Sequence, residues 1–124
     1  MPIKYTIDRT QNLTIFNLTG EVTLSDLIDT IDTYGKSDPT FYEIYDAREI
    51  DGDRLTTAEI QKLAVFLKKH PNRRALGSKT AVVVSNDIDF GLSRMISSLT
   101  DQEVPYKIEV FRTMDMAHQW LDRT

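Results

Sequence analysis

The 124-residue chain contains no cysteine, which removes disulfides, thiolate metal sites and cysteine nucleophiles at once. It has little imidazole either. His70 stands before Pro71 at an expected helix end and His118 beside Gln119 in the last expected helix, so both read as capping or surface residues. No G-x-S-x-G, H-E-x-x-H, P-loop or G-x-G-x-x-G motif occurs. Catalysis needs a nucleophile beside a base, or carboxylates whose pKa values are driven apart, and the spacing offers neither. No catalytic residue, cofactor or metal ion is expected.

An excess of positive charge is also missing. The net charge is -4 and the pI near 5.1, so there is no basic field to neutralise phosphates, and nucleic acid is not an expected partner. The one basic cluster, Lys68-Lys69-His70-Pro71-Asn72-Arg73-Arg74, falls at a helix end, where cations complement the dipole. No apolar run approaches the roughly 18 residues that span a bilayer, and the start MPIKYTIDRT lacks the apolar core of a signal peptide. The expectation is a cytoplasmic protein with no integral membrane segment.

What is present is the composition of an ordinary globular chain: 40% apolar and 27% charged residues, enough to bury a core without staples. One domain over 1–124 is expected. Ile3, Tyr5 and Ile7 alternate with polar residues, and Leu13 to Leu18 follows after a short polar link, the pattern of a β-hairpin. Thr23 with Asp26 resembles a capping box ahead of the stripe Leu24, Leu27, Ile28 and Ile31. A third strand is expected from about Phe41 to Ala47, and a second helix from about Thr57 to His70 carrying Ile60, Leu63, Ala64 and Leu67. The run Thr80 to Val84, apolar almost without alternation, suits the middle of a sheet covered on both faces. Asn86 or Asp87 can cap a third helix whose stripe is Ile88, Leu92, Met95 and Leu99, Ile108 to Phe111 forms a last strand, and Thr113 opens a final helix. The order β-β-α-β-α-β-α-β-α predicts an α/β fold: a mixed, mostly parallel sheet with a hairpin start and four helices.

In this order, in the strand ending at Asp46, in KTAVVV ahead of a helix with Gly91, Arg94 and Met95, and in Val110-Phe111-Arg112 followed by Ala117 and Trp120-Leu121, the chain resembles the SpoIIAA-like branch of the STAS domains. These are the sulfate transporter and anti-sigma factor antagonist domains. The resemblance implies a non-enzymatic regulatory module that binds a protein partner, in some members through a phosphorylatable serine at the amino end of the second helix. That position falls at Leu55-Thr56-Thr57, where no Asp-Ser-Ser-Gly stands, so a threonine takes the serine's place.

The junction DAREIDGDRLTTAEI therefore carries the main candidates. Asp51-Gly52-Asp53 does not fit an EF-hand, which needs glycine at its sixth position and ligands at alternate ones. Thr56 and Glu59 fit a capping box. A phosphate on Thr56 or Thr57 would also suit the positive helix end, with Asp46, Arg48 and Arg54 as neighbouring partner-surface residues. A second candidate surface, for a homodimer or an apolar, lipid-like ligand held between the third helix and the sheet, comprises Phe90, Met95, Ile96, Met116 and Trp120.

Overall fold

In the computed structural model, which describes residues 2–51 and 55–122, five strands form one sheet in the order β1-β2-β3-β4-β5. The strands are β1 (Ile3–Asp8), β2 (Leu13–Gly20), β3 (Tyr42–Ile50), β4 (Lys79–Val83) and β5 (Lys107–Phe111). The hairpin pair β1 and β2 is antiparallel, and every later pairing is parallel. The helices are α1 (Leu24–Gly35), α2 (Thr57–Lys69), α3 (Asp87–Thr100) and α4 (Met114–Asp122). The expected mixed α/β architecture is present, element for element.

Because each parallel strand is laid beside its predecessor through a crossover of one hand, α1, α2 and α3 share one face of the sheet. Their buried residues Ile31, Tyr34, Ile60, Leu63, Leu67 and Ile96 pack on Phe16, Tyr45 and Val110. Among the described residues α4 alone covers the opposite face, where Ala117 and Leu121 meet Leu13, Ile44, Ala81 and Val83. The sheet's middle strand is β3 and not the apolar β4, which lies one place nearer the edge. The reason is polar: β3 carries Glu43, fully buried on the helix-covered face, so the central strand does not read as an apolar run.

The helix starts are fixed by side chains. Thr23 accepts from the Asp26 amide while Asp26 accepts from the Thr23 amide, and the same reciprocal bonds join Thr56 and Glu59 at α2. Asn86 caps α3 by accepting from the Asp89 amide, and the Thr113 hydroxyl accepts from the Met116 amide before α4. In α3 three residues of the expected apolar stripe, Leu92, Met95 and Leu99, pack on the core, and the first does not. Ile88, at the first turn, is 62% exposed, whereas Ile96 and Thr100 are the buried positions. Thr100 is tolerated inside because its hydroxyl donates to the Ile96 carbonyl.

The basic cluster after α2 is structural, but through ion pairs more than through the dipole. Arg73 donates to Asp32 at 2.7 Å, locking the 3-10 turn Pro71–Arg73 to α1. The approach is close enough that Gly35 is required: a Cβ there would stand 2.8 Å from the Arg73 Cα.

Candidate functional site

The parallel strands end at one end of the sheet, and each is followed there by a capped helix start. Along β3 the register with β2 passes from Asn17 opposite Asp46 to Thr19 opposite Glu49, so β3 contains one extra residue. This bulge changes which side chains face the helices. Ala47 and Ile50 both turn to the helix-covered face, where with Leu55, Ile60, Leu92 and Val22 they line a cleft of about 130 Å³ between the amino ends of α2 and α3. Deeper, a 90 Å³ cavity shares Leu27, Leu63, Ser93 and Ile96 with the cleft.

Asp46 precedes the bulge and is one-sixth exposed, with its carboxylate filled by the Arg48 guanidinium through two bonds of 2.9 Å and by the Arg48 amide at 3.2 Å. Hydrogen bonding from Arg48 holds the Asp46 carboxyl below the ordinary aspartate value of 3.8, against a smaller push upward from burial. A depressed folded pKa stabilises the fold above the unfolded value and loses that contribution as pH falls through the folded one. Asp46 should therefore titrate below 3.8 by carboxyl-carbon NMR and return upward in Arg48→Ala, with no change if the pair is absent in solution.

Of the junction residues, Thr56 is occupied as the helix cap, a role that contributes about 1 kcal/mol. Thr57 is exposed, at the first position inside the helix, and its hydroxyl makes no hydrogen bond among the described residues. Arg48 is committed to Asp46 rather than aimed at either threonine, and Arg54 and Asp53 lie outside the described residues. Ile88 lies at the same end of the sheet, in the first turn of α3. Nearby, Arg112 pairs with Asp87 and lies over the Phe90 ring at 4.5 Å.

The five apolar candidates do not form one surface. Phe90, Met95 and Ile96 belong to α3 and pack toward the helix-covered core, with Ile96 itself buried. Met116 and Trp120 belong to α4 on the other face. There Trp120 packs on Phe111 and Lys79, and Met116 is half exposed.

A buried polar cluster lies toward the opposite end of the strands and escaped the sequence reading. Glu43 and Arg74 form an ion pair of 3.1 Å with side chains 0% and 4% exposed. The Thr80 hydroxyl donates to the same Glu43 oxygen, and Arg74 donates to the Tyr45 hydroxyl and lies over the Tyr106 ring. Burial pushes the Glu43 carboxyl up, with Arg74 and Thr80 pulling against it. Burial likewise raises the Tyr45 and Tyr106 phenols. Burial disfavours the Arg74 charge, but attraction to Tyr45, Glu43 and Tyr106 outweighs it and the guanidinium stays charged. The available signal was positional: Glu43 shares the strand parity of Tyr45 and Ala47, which the pattern assigns to a buried face.

No protein family and no curated protein matches the chain. Solved structures do, among them two that cover nearly all of the chain. One is an uncharacterised protein of the DUF3478 family with a SpoIIAA-like fold from Shewanella loihica PV-4, 21% identical, with a TM-score of 0.59 over 96% of this chain and 93% of that one. The other is an anti-sigma factor antagonist from Mycobacterium paratuberculosis, 17% identical, with a TM-score of 0.58 over 97% and 94%. At these identities the likeness is one of fold. The chain has a SpoIIAA-like fold, and among its described residues no helix is long and apolar enough to cross a membrane.

Proposed function

We propose that this protein is a non-enzymatic regulatory module of the STAS type, which binds a protein partner through the surface at the carboxyl ends of the strands, around the amino end of α2. The observation that carries the reading is the joining of three features at that end of the sheet. These are an apolar cleft open beside the α2 start, an exposed Ile88 at the α3 start, and a Thr57 hydroxyl that the helix does not use. An apolar cleft of this size accepts one side chain of a partner, an anchor within a polar rim. The anti-sigma factor antagonist of like fold makes a protein partner the natural class.

A phosphate on Thr57 would add roughly -2 charge at the positive end of α2, beside that cleft, without removing the Thr56 cap. Thr56 is the poorer acceptor because modification would break the cap bond to Glu59. Retention of a lipid-like ligand between α3 and the sheet is the weaker reading. The apolar spaces there, 130 and 90 Å³, are below the roughly 300 Å³ at which small-molecule sites begin, and the larger 340 Å³ groove between α3 and β5 is lined mainly by polar groups such as Arg94, Ser97, Asp101 and Glu109, unsuited to an apolar ligand.

The test is affinity purification from the native host with wild-type, Thr57→Ala and Thr57→Glu baits, followed by titration of the recovered partner. The expected result is one partner whose affinity differs by about tenfold or more between the two variants, as a charge change at a helix end and binding rim would produce. Equal binding by Thr57→Ala and Thr57→Glu would remove the switch, and a partner indifferent to Leu55→Ser and Ile88→Ser would remove the surface.

A further inference from the structure

The strand β5 is one edge of the sheet, and what it leaves unpaired is unusually well matched to itself. The Lys107 amide donates to Ser78 and the Val84 amide donates to the Phe111 carbonyl. Alternation along a parallel ladder then turns the amides and carbonyls of Ile108 and Val110 outward. Beside them runs a 340 Å³ groove between β5 and α3, lined by Phe90, Arg94, Ser97 and Asp101 among others. A row of outward backbone groups is a template for another strand.

We infer that β5 pairs with β5 of a second copy, antiparallel and about a two-fold axis beside Ile108. In such a pair outward-facing residues oppose one another, so Ile108 meets either Ile108 or Val110 of the copy. The second register sets Glu109 against Glu109. The first sets Lys107 against Glu109 of the copy, and by symmetry does so twice. Neither charge has another claim on it: both side chains are exposed, and neither has a side-chain partner among the described residues. Across the ladder Lys107 faces only Lys79, a like charge.

The helices agree with the same axis. Ser97 donates to the Ile108 carbonyl at 2.6 Å, using one lone pair and leaving the other for the copy's amide. Ser97 and Ser98 therefore lie next to the axis, and α3 runs antiparallel to its copy across the groove. Residues spaced equally about that point face each other, which sets Arg94 against Asp101 of the copy, again twice. Both are exposed and unpartnered among the described residues. Four cross-copy charge pairs thus follow from one axis, and the outer edge of β1 offers no equivalent. There Asp8 is held in a turn by the Thr10 amide and hydroxyl and the Gln11 amide.

The experiment is sedimentation equilibrium of the full chain, wild type and charge variants, with hydrogen exchange of the edge amides. Wild type should sediment at twice 14.3 kDa, with slow exchange at Ile108 and Val110. Lys107→Glu and Glu109→Lys should each weaken self-association by about tenfold or more, since each places like charges opposite twice. Mixing the two should restore dimer, because one copy then supplies acid at both positions and the other base at both. The double variant Lys107→Glu/Glu109→Lys should dimerise like wild type, separating a lost interface from a lost fold. A chain monomeric up to about 1 mM, a dimer indifferent to the single variants, or a mixture no better than its parts would each overturn the inference. So would edge protection that arises only when an extended peptide of another protein is added.

Discussion

Arg74→Met is expected to remove about 3–5 kcal/mol of folding stability, because it leaves the Glu43 carboxylate buried and uncompensated. In a chain of this length that is a fall in Tm of roughly 10–20 °C. The cost does not measure what the pair contributes, since a buried pair often does no better than apolar residues of the same volume. The second half of the expectation follows from that asymmetry. Adding Glu43→Gln to Arg74→Met should recover a substantial part of the loss, because a neutral amide costs less to bury than a lone carboxylate and can still accept from Thr80. Urea unfolding of the two single variants and the double variant gives the coupling directly. A double variant as unstable as the sum of the singles would mean that the two groups are not paired in solution.

Phe16→Ala should cost a similar amount, about 3–5 kcal/mol, for a different reason. Phe16 is wholly buried on the helix-covered face. It stacks on Tyr45 at 4.2 Å and meets Tyr34 edge-on at 4.9 Å and Tyr5 at 5.3 Å. Removing the ring opens a cavity that the crowded tyrosines cannot close without leaving their partners, since Tyr34 accepts from the Thr40 amide and Tyr45 accepts from Arg74. The loss should appear in the near-ultraviolet tyrosine signal. Trp120 emission should stay put, because that residue reports from the other face of the sheet. Phe16→Leu, which keeps most of the volume, should lose far less. Equal losses for the two substitutions would show that the site is not packed as described.

The helix starts were open to reading from the sequence because capping is local: Thr23 with Asp26 and Thr56 with Glu59 satisfy one another within a single turn. The sheet's middle was less legible because it depends on a pairing over a long sequence distance. Glu43 can occupy the central strand only since Arg74, 31 positions on, is buried against it; strand parity marks its face as buried, but the charge of a glutamate read without that partner argues for the surface. In α3 three of the four expected stripe residues, Leu92, Met95 and Leu99, do pack on the core, and the positions misread are Thr100 and Ile88. Thr100 enters the core by bonding back to its own helix, and Ile88 stands beyond the sheet, so polarity misplaces both. At the junction, residue type located the helix start and its cap, while the cleft beside it depends on the β3 bulge, which no local pattern announces.

The strand order, identical to the chain order, bears on how the molecule is assembled during synthesis. No strand has to be inserted between two others, so each can dock on its predecessor as it leaves the ribosome, and its crossover helix closes over the pair just formed. The growing sheet then has one advancing edge, and each new strand covers it in turn. Among the described residues β5 is the last of these, and no later strand covers it. Self-pairing there continues between chains the same side-by-side addition that built the sheet within one.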